Sequence, residues 1–297
     1  MTVLSLFDGI SCGKVALDRA GIKYSAYYAS EIDKYAIQVS NQNHPDIIRL
    51  GDVRNIDTTK LPKIDLLIGG SPCQSFSRSG DNSGFNGKSG LFYEYLRILR
   101  ETKPTYFLLE NVVMKKEWES QISNLLGVSP IMIDSANFSA QKRQRLYWTN
   151  IPVNPNVSDQ GIKLSDIFMG GQRNIIDGNP VVLKIDKGVF WIRNATKQGY
   201  LIAKDGDCVN LEMPLSKTRR GRVSREKTNT LNTACNYGFI WGGHLLELNI
   251  TEYERLQTLS DGYTNGIPLS QRKKVIGNGW TVEVIRYIFS HLKDKRL

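Results

Sequence analysis

The sequence is poor in cysteine and histidine, and it contains no long uninterrupted hydrophobic run. Its 297 residues include only four cysteines and three histidines, and no two cysteines form a CxxC pair. This spacing excludes a disulfide framework and a clustered Cys/His metal site, so we expect reduced thiols and no bound metal. No apolar run approaches the ~20 residues that a bilayer requires, and we find no signal peptide. These absences favour a cytoplasmic protein that does not insert into membranes.

Positive charge is what the chain has in excess. It carries 39 Lys and Arg residues against 29 Asp and Glu residues, which gives a formal net charge of +10 at pH 7. A basic excess of this size favours a polyanionic partner such as nucleic acid. The composition is 40% apolar and 23% charged, as in a globular protein. The length allows one large core with a smaller appended domain.

The first half of the chain alternates short apolar runs with segments of helical periodicity. The apolar runs over 3–7, 27–30, 66–68, 106–109 and 131–133 predict strands. The segments over 14–20, 34–42, 92–100 and 118–126 predict helices between them. This alternation predicts an α/β fold with a doubly wound, Rossmann-like and mostly parallel sheet.

The pattern changes after about residue 152. Pro152, Pro155 and Pro180 interrupt a segment with little helical periodicity, and residues 199–203 and 208–213 predict a hairpin around a turn at 204–207. We therefore predict a smaller, β-rich domain over 153–246. An apolar stripe over 280–293 predicts a final helix, so we expect residues 247–297 to rejoin residues 1–152 in the first domain.

Small residues and carboxylates follow the first three predicted strands. The turn after the first strand reads FDGISCG, in which glycine permits close backbone approach and the start of the helix offers amide donors. Glu31 ends the second strand, where a carboxylate can accept from both ribose hydroxyls of a nucleoside cofactor. Asp52, near the end of a third strand, is placed to accept from an adenine amine. A turn glycine with two surface carboxylates explains the same pattern, so both interpretations stay open here.

A cysteine lies directly beyond the strand predicted over 66–68. Gly-Gly-Ser-Pro ends that strand abruptly, and Cys73 follows Pro72 at the carboxyl edge of the sheet, where open α/β sheets bind ligands. Cys73 is therefore a candidate nucleophile, which a positive or helix-terminal environment would activate. Glu110 ends the strand predicted over 106–109. A nucleophilic cysteine beside a carboxylic acid suits attack at carbon 6 of an electron-poor heteroaromatic ring, with the acid at ring nitrogen 3.

Gln141, Arg143 and Arg145 alternate along QKRQR, just before a strand-like LYW segment. Alternate residues of an extended chain share a face, so we expect these three side chains to point together. Guanidinium groups in that place suit a ring carbonyl and a phosphate. Each feature also has an ordinary explanation, namely an inert buried cysteine, a salt-bridged glutamate and a solvated basic run. Their combination and order favour catalysis.

In sequence order the chain contains FDGISCG, Glu31, GDVR, GGSPCQSFS, ENVV, QKRQR, TEYERLQ and IGNGW. This order resembles the DNA cytosine-5-methyltransferase family, and only residues from about 153 to 230 lie outside the shared blocks. ENVV and GNGW resemble the animal de novo branch, whereas PCQSFS and the short variable region resemble a bacterial or phage enzyme. The first and last blocks depart from the common pattern, with Ser11-Cys12-Gly13 and Gly279-Trp280 in place of the usual residues.

The resemblance implies that residues 1–152 with 247–297 form the catalytic methyltransferase domain and that residues 153–246 form a target-recognition domain. It also implies a role for each matched residue. Cys73 would attack carbon 6 of a flipped-out cytosine from a loop shaped by Pro72, and Glu110 would hold nitrogen 3 and the exocyclic amine. Arg145 would lie near the ring carbonyl, with Arg143 and Gln141 as supports. The methyl donor would be S-adenosylmethionine, with S-adenosylhomocysteine as the product. Its expected contacts are Phe7, Asp8, Gly9, Ile10, Ser11 and Cys12 at the methionine end, Glu31 and Ile32 at the ribose, Asp52 and Val53 at the adenine, and Asn278, Gly279 and Trp280 closing over it.

Two segments are candidates for contact with DNA. Chemistry on a stacked base requires that the base leave the helix, and the glycine-rich stretch over 78–90, which begins at Arg78, predicts a loop that closes over DNA. The basic stretch over 217–227 is the second candidate for phosphate and guanine contacts. Its expected contact residues are Lys217, Arg219, Arg220, Arg222 and Arg225. An ordinary surface loop and a disordered basic linker are the competing explanations.

The sequence therefore predicts a DNA cytosine-5-methyltransferase that acts on double-stranded DNA as a monomer, with or without a cognate restriction endonuclease. A tRNA cytosine-5-methyltransferase shares the same blocks and stays an alternative, as does a catalytically silent DNA-binding relative. A nicotinamide dehydrogenase is disfavoured, because GxGxxG is missing and PCQ would be unexplained.

Overall fold

The computed structural model describes residues 1–72, 88–170 and 174–292. The chain divides into two compact units. The first unit comprises Met1–Asp134, Gln144–Val157 and Gly279–Leu297, and the second unit comprises Ser135–Arg143 and Ser158–Asn278. The predicted nucleophile Cys73, the predicted DNA contact Arg78 and most of the glycine-rich stretch lie outside the described residues.

A seven-stranded sheet forms the centre of the first unit. Its strands are β1 (Thr2–Leu6), β2 (Ala26–Ser30), β3 (Ile48–Gly51), β4 (Leu66–Gly70), β5 (Tyr106–Val112), β6 (Ile131–Asp134) and β7 (Gln144–Thr149). They lie in the order β3-β2-β1-β4-β5-β7-β6, in which β1 to β5 run parallel and β7 runs antiparallel to both neighbours. The order reverses between β1 and β4, which confirms the predicted doubly wound sheet and places ligand binding at its carboxyl edge.

The helices follow the predicted apolar stripes. They are α1 (Cys12–Arg19), α2 (Lys34–Asn43), α3 (Phe92–Thr102), α4 (Lys116–Leu126), α5 (Leu164–Ile167), α6 (Ile250–Leu256), α7 (Leu269–Asn278) and α8 (Val282–Phe289). The Asp33 side chain caps α2 by accepting from the amides of Tyr35 and Ala36. In the first unit α8 packs against α1, and Arg19 bonds Glu283 across this contact with an N–O distance of 2.9 Å.

Continuous burial explains why the central strands are short apolar runs. Leu66, Leu67 and Ile68 are fully buried, as expected for parallel strands that are covered on both faces. A core cluster joins β1, β4 and β5 to α3 through residues such as Leu67, Leu109 and Phe92. Burying each such side chain contributes roughly 1.5–3 kcal/mol, and this holds the carboxyl edge of the sheet in place.

The second unit is built on two antiparallel sheets. One contains β8 (Val182–Asp186), β9 (Val189–Arg193) and β10 (Tyr200–Ala203) in the order β10-β9-β8. The other contains β11 (Asp207–Asn210), β12 (Val223–Arg225), β13 (Tyr237–Trp241) and β14 (His244–Glu247) in the order β12-β11-β13-β14. The strand content agrees with the β-rich character expected from residue 153 onward.

The predicted hairpin over 199–213 is wrong. Both strands exist, but β10 pairs with β9, whereas β11 pairs with β12 and β13. All four residues of β11 are buried between its two neighbours, so β11 has no free edge for β10. The turn between them is tight, because Asp207 accepts from the Lys204 amide at 3.0 Å, but it carries the chain from one sheet to the other.

The compact units also have different limits from the predicted domains. Helices α6 and α7, which the sequence analysis assigns to the catalytic part, pack within the second unit, and the chain returns to the first unit at Gly279. The assignment of 1–152 with 247–297 to catalysis and of 153–246 to target recognition stays a prediction about function. In the described part of the chain no helix is long and apolar enough to span a membrane.

Candidate active site

The loop between β1 and α1 has an unusual backbone. Phe7, Gly9 and Ser11 have φ values of 57°, 57° and 63°, in the left-handed region that only glycine adopts without strain. Two of these three residues carry side chains. Such strain persists where surrounding contacts hold it and is concentrated at functional sites.

Asp8 supplies the contacts that hold this loop. Its carboxylate accepts from the Tyr27 hydroxyl at 2.8 Å and from the Ser11 hydroxyl, and Arg49 lies 3.5 Å from the second oxygen. The side chain is buried with these partners. The Asp8 side chain therefore stabilises the loop conformation through internal contacts, and the backbone groups of the loop are the ones available to a ligand.

Glu31 closes the other side of this loop. Its carboxylate accepts from the amides of Gly9, Ile32 and Asp33 at 2.8, 2.7 and 2.8 Å. A carboxylate has about four acceptor positions, so one remains for an outside donor such as a ribose hydroxyl. The neighbouring Ile32 side chain is 68% exposed and offers an apolar surface beside this carboxylate.

Asp52 follows β3 and is engaged with Arg54. It accepts from the Arg54 amide at 3.0 Å and pairs with the Arg54 guanidinium. The hydrogen bonds from Arg54 lower the pKa of the Asp52 carboxyl to about 2. Asp52 therefore stays ionised at neutral pH, while the adjacent Val53 side chain is buried in the core.

The carboxyl ends of β4 and β5 meet at Glu110. Gly70 and Glu110 are register partners, so the strand that leads to Pro72 and Cys73 lies beside β5, which contains Glu110 two residues before its end. The Glu110 side chain is buried, and its Oε1 lies 2.9 Å from Arg145 Nε on β7. Its Oε2 accepts from the Trp280 indole N–H at 3.0 Å. The structure thus brings Glu110, Arg145 and Trp280 together.

Asn111 is a residue that the sequence analysis missed. Its side-chain amide donates to the Ser71 hydroxyl at 3.1 Å, which ties the segment after β4 to β5. Asn111 is buried, and Ser71 lies two residues before Cys73. The ENV block contains this asparagine directly after Glu110, so the signal was present but was assigned only to the glutamate.

Gln141 and Arg143 do not share a strand face with Arg145, so that expectation is wrong. β7 begins at Gln144, and the side chains of Gln141 and Arg143, which precede it, are buried in the second unit. Arg143 donates to the carbonyls of Leu231 and Gly277 at 3.0 and 3.2 Å. Gln141 accepts from the Leu231 amide at 2.9 Å. Both residues connect backbone segments within the second unit.

The last sequence block is divided between the units. Gly277 and Asn278 belong to the second unit, where a Cβ on Gly277 would lie 2.2 Å from the Asn232 carbonyl oxygen, so only glycine fits. Gly279 and Trp280 belong to the first unit. Of the predicted cofactor contacts in this block, only these last two therefore share a unit with the β1–α1 loop.

The basic stretch over 217–227 contains two kinds of cation. Lys217 and Arg220 are exposed, and within the described residues their side chains have no hydrogen-bonding or ionic partner. Arg219 pairs with Glu212 at 2.9 Å, and Arg225 pairs with Asp207 while remaining exposed.

Arg222 differs from the other basic residues of this stretch, because it is fully buried. Its guanidinium donates to the carbonyls of Asn210, Glu212 and Met213 at 2.9, 2.9 and 3.1 Å. Such burial argues against the predicted DNA contact by Arg222. The residue instead holds the loop that carries Lys217 and Arg220.

The chain is similar in sequence to methyltransferases of a phage and of a bacterium. It is 45% identical over 197 residues to the orphan methyltransferase M.SPRI of Bacillus phage SPR, an alignment that covers 60% of this chain and 44% of the phage protein. It is 33% identical over 171 residues to the type II methyltransferase M.FnuDI of Fusobacterium nucleatum, covering 54% and 49% of the two chains. The matched regions thus span less than half the length of these curated relatives.

Solved structures show the same fold. The Entamoeba histolytica methyltransferase EhMeth superimposes with a TM-score of 0.66 at 17% identity, over 99% of both chains. Residues 1–294 match the family model of C-5 cytosine-specific DNA methylases, which includes both compact units and every block discussed above. The chain belongs to the C-5 cytosine-specific DNA methylase family.

Proposed function

We propose that this protein transfers a methyl group from S-adenosylmethionine to carbon 5 of a cytosine in double-stranded DNA, through a covalent bond between Cys73 Sγ and carbon 6. Membership of the family supplies the reaction class. The observation that carries the proposal is Glu110, a buried carboxylate at the carboxyl end of β5, beside the strand that leads to Cys73. Among the described residues each of its two oxygens has one donor, so each keeps a lone pair, one to carry the proton for ring nitrogen 3 and one to accept from the exocyclic amine.

Glu110 and Cys73 divide the chemistry on the base. Glu110, as the carboxylic acid, hydrogen-bonds ring nitrogen 3 and the exocyclic amine, which draws electron density from the ring. The Cys73 thiolate then forms a bond to carbon 6, and the electron pair of the 5,6 double bond moves to carbon 5, the atom that is methylated. A base such as a water molecule then removes the proton from carbon 5, which restores the double bond and expels the Cys73 sulfur as a thiolate. The base has to leave the DNA stack for these contacts to form.

Arg145 keeps the carboxyl group of Glu110 in place during this reaction. Its Nε bonds one Glu110 oxygen, and Nη1 donates to the Gln144 carbonyl at 2.8 Å, which fixes the guanidinium on its own strand. We propose that the remaining guanidinium N–H groups donate to the cytosine carbonyl. Arg143 and Gln141 support Arg145 only through the backbone that precedes β7.

The residues at the carboxyl edge of the first unit fit S-adenosylmethionine. Glu31 keeps one free acceptor position for a ribose hydroxyl, exposed Ile32 offers an apolar surface for adenine, and the left-handed β1–α1 loop offers backbone groups for the methionine end. When bound, the donor supplies an electrophilic methyl group. Asp52 is already ionised and can accept from the adenine amine.

Contact with DNA is proposed for the exposed cations of the second unit. Lys217 and Arg220 have no internal partners among the described residues, and Arg225 exposes its guanidinium beside Asp207. These residues suit phosphate oxygens, which carry most of the affinity of such interfaces. We retain Arg78 and the glycine-rich stretch as proposed contacts and omit Arg222.

The proposed reaction needs one active site per chain, so a monomer suffices. A DNA substrate places the enzyme in the cytoplasm of a bacterial or phage-infected cell. Because a type II methyltransferase is among the relatives, a cognate restriction endonuclease stays a candidate functional partner.

A labelled-methyl assay tests this proposal directly. Purified protein is incubated with tritiated S-adenosylmethionine and either unmethylated phage DNA or tRNA, and we expect label in DNA only. A pooled random duplex that contains 5-fluorocytosine should trap the protein as a denaturation-resistant adduct, because the fluorine blocks the final proton loss. The variant Cys73→Ala should form no adduct, whereas the matched control Cys208→Ala, at a thiol buried in β11, should form it normally.

Each alternative predicts a different result. Label in tRNA alone would favour an RNA methyltransferase, and neither label nor adduct would favour a silent DNA-binding relative. If methylation occurs, methylation-sensitive sequencing of the DNA identifies the target sequence.

A further inference from the structure

We propose that Trp280 is a positioning residue for Glu110, whose indole N–H sets the orientation of the catalytic carboxyl group and thereby the rate of methyl transfer. This inference rests on the proposed function of Glu110 and adds a role for a residue that the sequence analysis assigns only to the cofactor pocket.

The hydrogen bonds around Glu110 define that orientation. Trp280 Nε1 lies 3.0 Å from Oε2 and Arg145 Nε lies 2.9 Å from Oε1. The last torsion of a glutamate side chain is soft, so an unrestrained carboxyl group rotates over a wide range. One donor on each oxygen removes this freedom and leaves the outer acceptor positions in a defined plane.

Two glycines make room for this arrangement. A Cβ on Gly70 would lie 2.9 Å from both Glu110 Oε2 and Trp280 Nε1, which is too close for either atom. A Cβ on Gly13 would lie 3.4 Å from the far edge of the same indole and 2.5 Å from Ile68. The indole therefore extends from the N-terminal turn of α1 to the end of β4, where only residues without side chains admit it.

The backbone that carries the Trp280 side chain is also held in place by packing. Trp280 immediately precedes Thr281, the N-cap of α8, and both Thr281 and the following Val282 are buried. Because α8 packs on α1, the base of the Trp280 side chain cannot shift without moving that helix pair. Catalytic groups need such support, since small displacements at a reacting centre cost much of the rate.

A cofactor-wall role and a positioning role make different predictions. A residue that only lines the donor pocket affects the KM for S-adenosylmethionine. A residue that orients Glu110 affects kcat, because a misoriented carboxyl group forms weaker hydrogen bonds to the cytosine ring in the transition state.

The sharpest test replaces Trp280 with β-(3-benzothienyl)alanine by codon suppression, which keeps the bicyclic shape but substitutes sulfur for the N–H group. We expect kcat for DNA methylation to fall roughly 10- to 100-fold, with the KM for S-adenosylmethionine within about twofold of wild type. The same substitution at Trp118, on α4 of the first unit, is the matched control and should leave both constants unchanged.

The variant Trp280→Phe extends the test, because it removes both the N–H group and part of the ring and should lower kcat at least as far. A wild-type kcat in the benzothienyl variant, or a change confined to the KM for the donor, would overturn the inference and leave the proposed function intact. A wild-type protein that methylates neither DNA nor RNA would overturn both. Thermal unfolding of each variant shows whether it is folded.

Discussion

Among the described residues, each compact unit contains a largely buried pair of a glutamate and an arginine, and these two pairs differ in how many other donors the carboxylate has. In the first unit Glu110 bonds Arg145 at 2.9 Å, and in the second unit Glu254 bonds Arg272 at 2.9 Å. All four side chains are largely buried. By distance and burial alone the two pairs are equivalent.

Their remaining partners separate them. Glu254 also accepts from the amides of Gly262 and Thr264 at 2.7 and 2.8 Å and from the Thr264 hydroxyl, so with Arg272 it has four internal donors. Glu110 has the Trp280 indole as its one further donor in the described part of the chain. A carboxylate that accepts from many internal donors stabilises its own fold. A carboxylate with few internal donors at the edge of a parallel sheet is available to a substrate.

The largest effect is expected for Glu110→Gln. Its amide nitrogen is a donor, so it cannot accept from both Arg145 and Trp280 or deliver a proton to ring nitrogen 3. We expect kcat to fall by about 10³-fold, because this group supplies acid catalysis and base orientation together. Steady-state kinetics on unmethylated duplex DNA measure it.

Thermal unfolding distinguishes this effect from damage to the fold. The midpoint should fall by less than for the same change at Glu254, because the substitution disturbs two donors at Glu110 but four at Glu254, and Glu117→Gln on α4 serves as a control that keeps full activity. A Glu110→Gln enzyme with wild-type kcat would remove Glu110 from the mechanism.

Glu254→Gln should have the opposite signature. The substitution places a donor among three groups that donate and leaves Arg272 without its charge partner, so we expect the free energy of unfolding to fall by about 3 kcal/mol. Urea unfolding measures this loss, with Glu226→Gln at an exposed pair with Lys163 as the control. Activity per folded molecule should stay near wild type, and a selective loss of kcat would show that donor counting does not separate the two pairs.

The sequence predicted the first unit well because its strands are buried on both faces. Runs such as Leu66-Leu67-Ile68 have to be strands of a covered parallel sheet, and the carboxyl ends of such strands meet at one edge. Glu110, Glu31 and the β1–α1 loop were therefore placed correctly at that edge, although their roles are still proposals. Trp280 was found by its motif, but its bond to Glu110 was not predicted, since a long-range contact leaves no local periodicity.

The sequence predicted less about the second unit because its contacts are long-range. The segment over 199–213 has the local pattern of a hairpin, but the partners of its two strands are distant in sequence. The expectation that Gln141, Arg143 and Arg145 share one face required the whole QKRQR segment to be one extended strand. Gln141 and Arg143 instead form hydrogen bonds with the Leu231 backbone before β7 begins. Composition likewise could not tell buried Arg222 from exposed Arg220, because both belong to one basic run.

The smallest effect is expected on DNA binding by the basic stretch over 217–227. Here the comparison by number of internal partners is applied to cations. Lys217 and Arg220 lack internal partners among the described residues, much as Glu110 keeps acceptor positions beyond its two internal donors, so we assign them to DNA phosphates. Replacing either with alanine should weaken DNA binding several-fold at about 0.1 M salt and lower the slope of log Kd against log salt by about 0.9, the value for one lost phosphate contact. Fluorescence anisotropy titrations over a range of KCl concentrations measure both quantities.

Arg222→Ala is the matched comparison within this run. Its Nη1 and Nη2 donate to three backbone carbonyls, while its buried Nε has no partner among the described residues, and removing the side chain should lower the free energy of unfolding by about 2 kcal/mol. The folded variant should keep the wild-type salt slope. If Arg222→Ala changed the slope and the two exposed residues did not, the loop would contact DNA through a rearranged conformation. In that case the number of internal partners would not predict function for cations as it does for carboxylates.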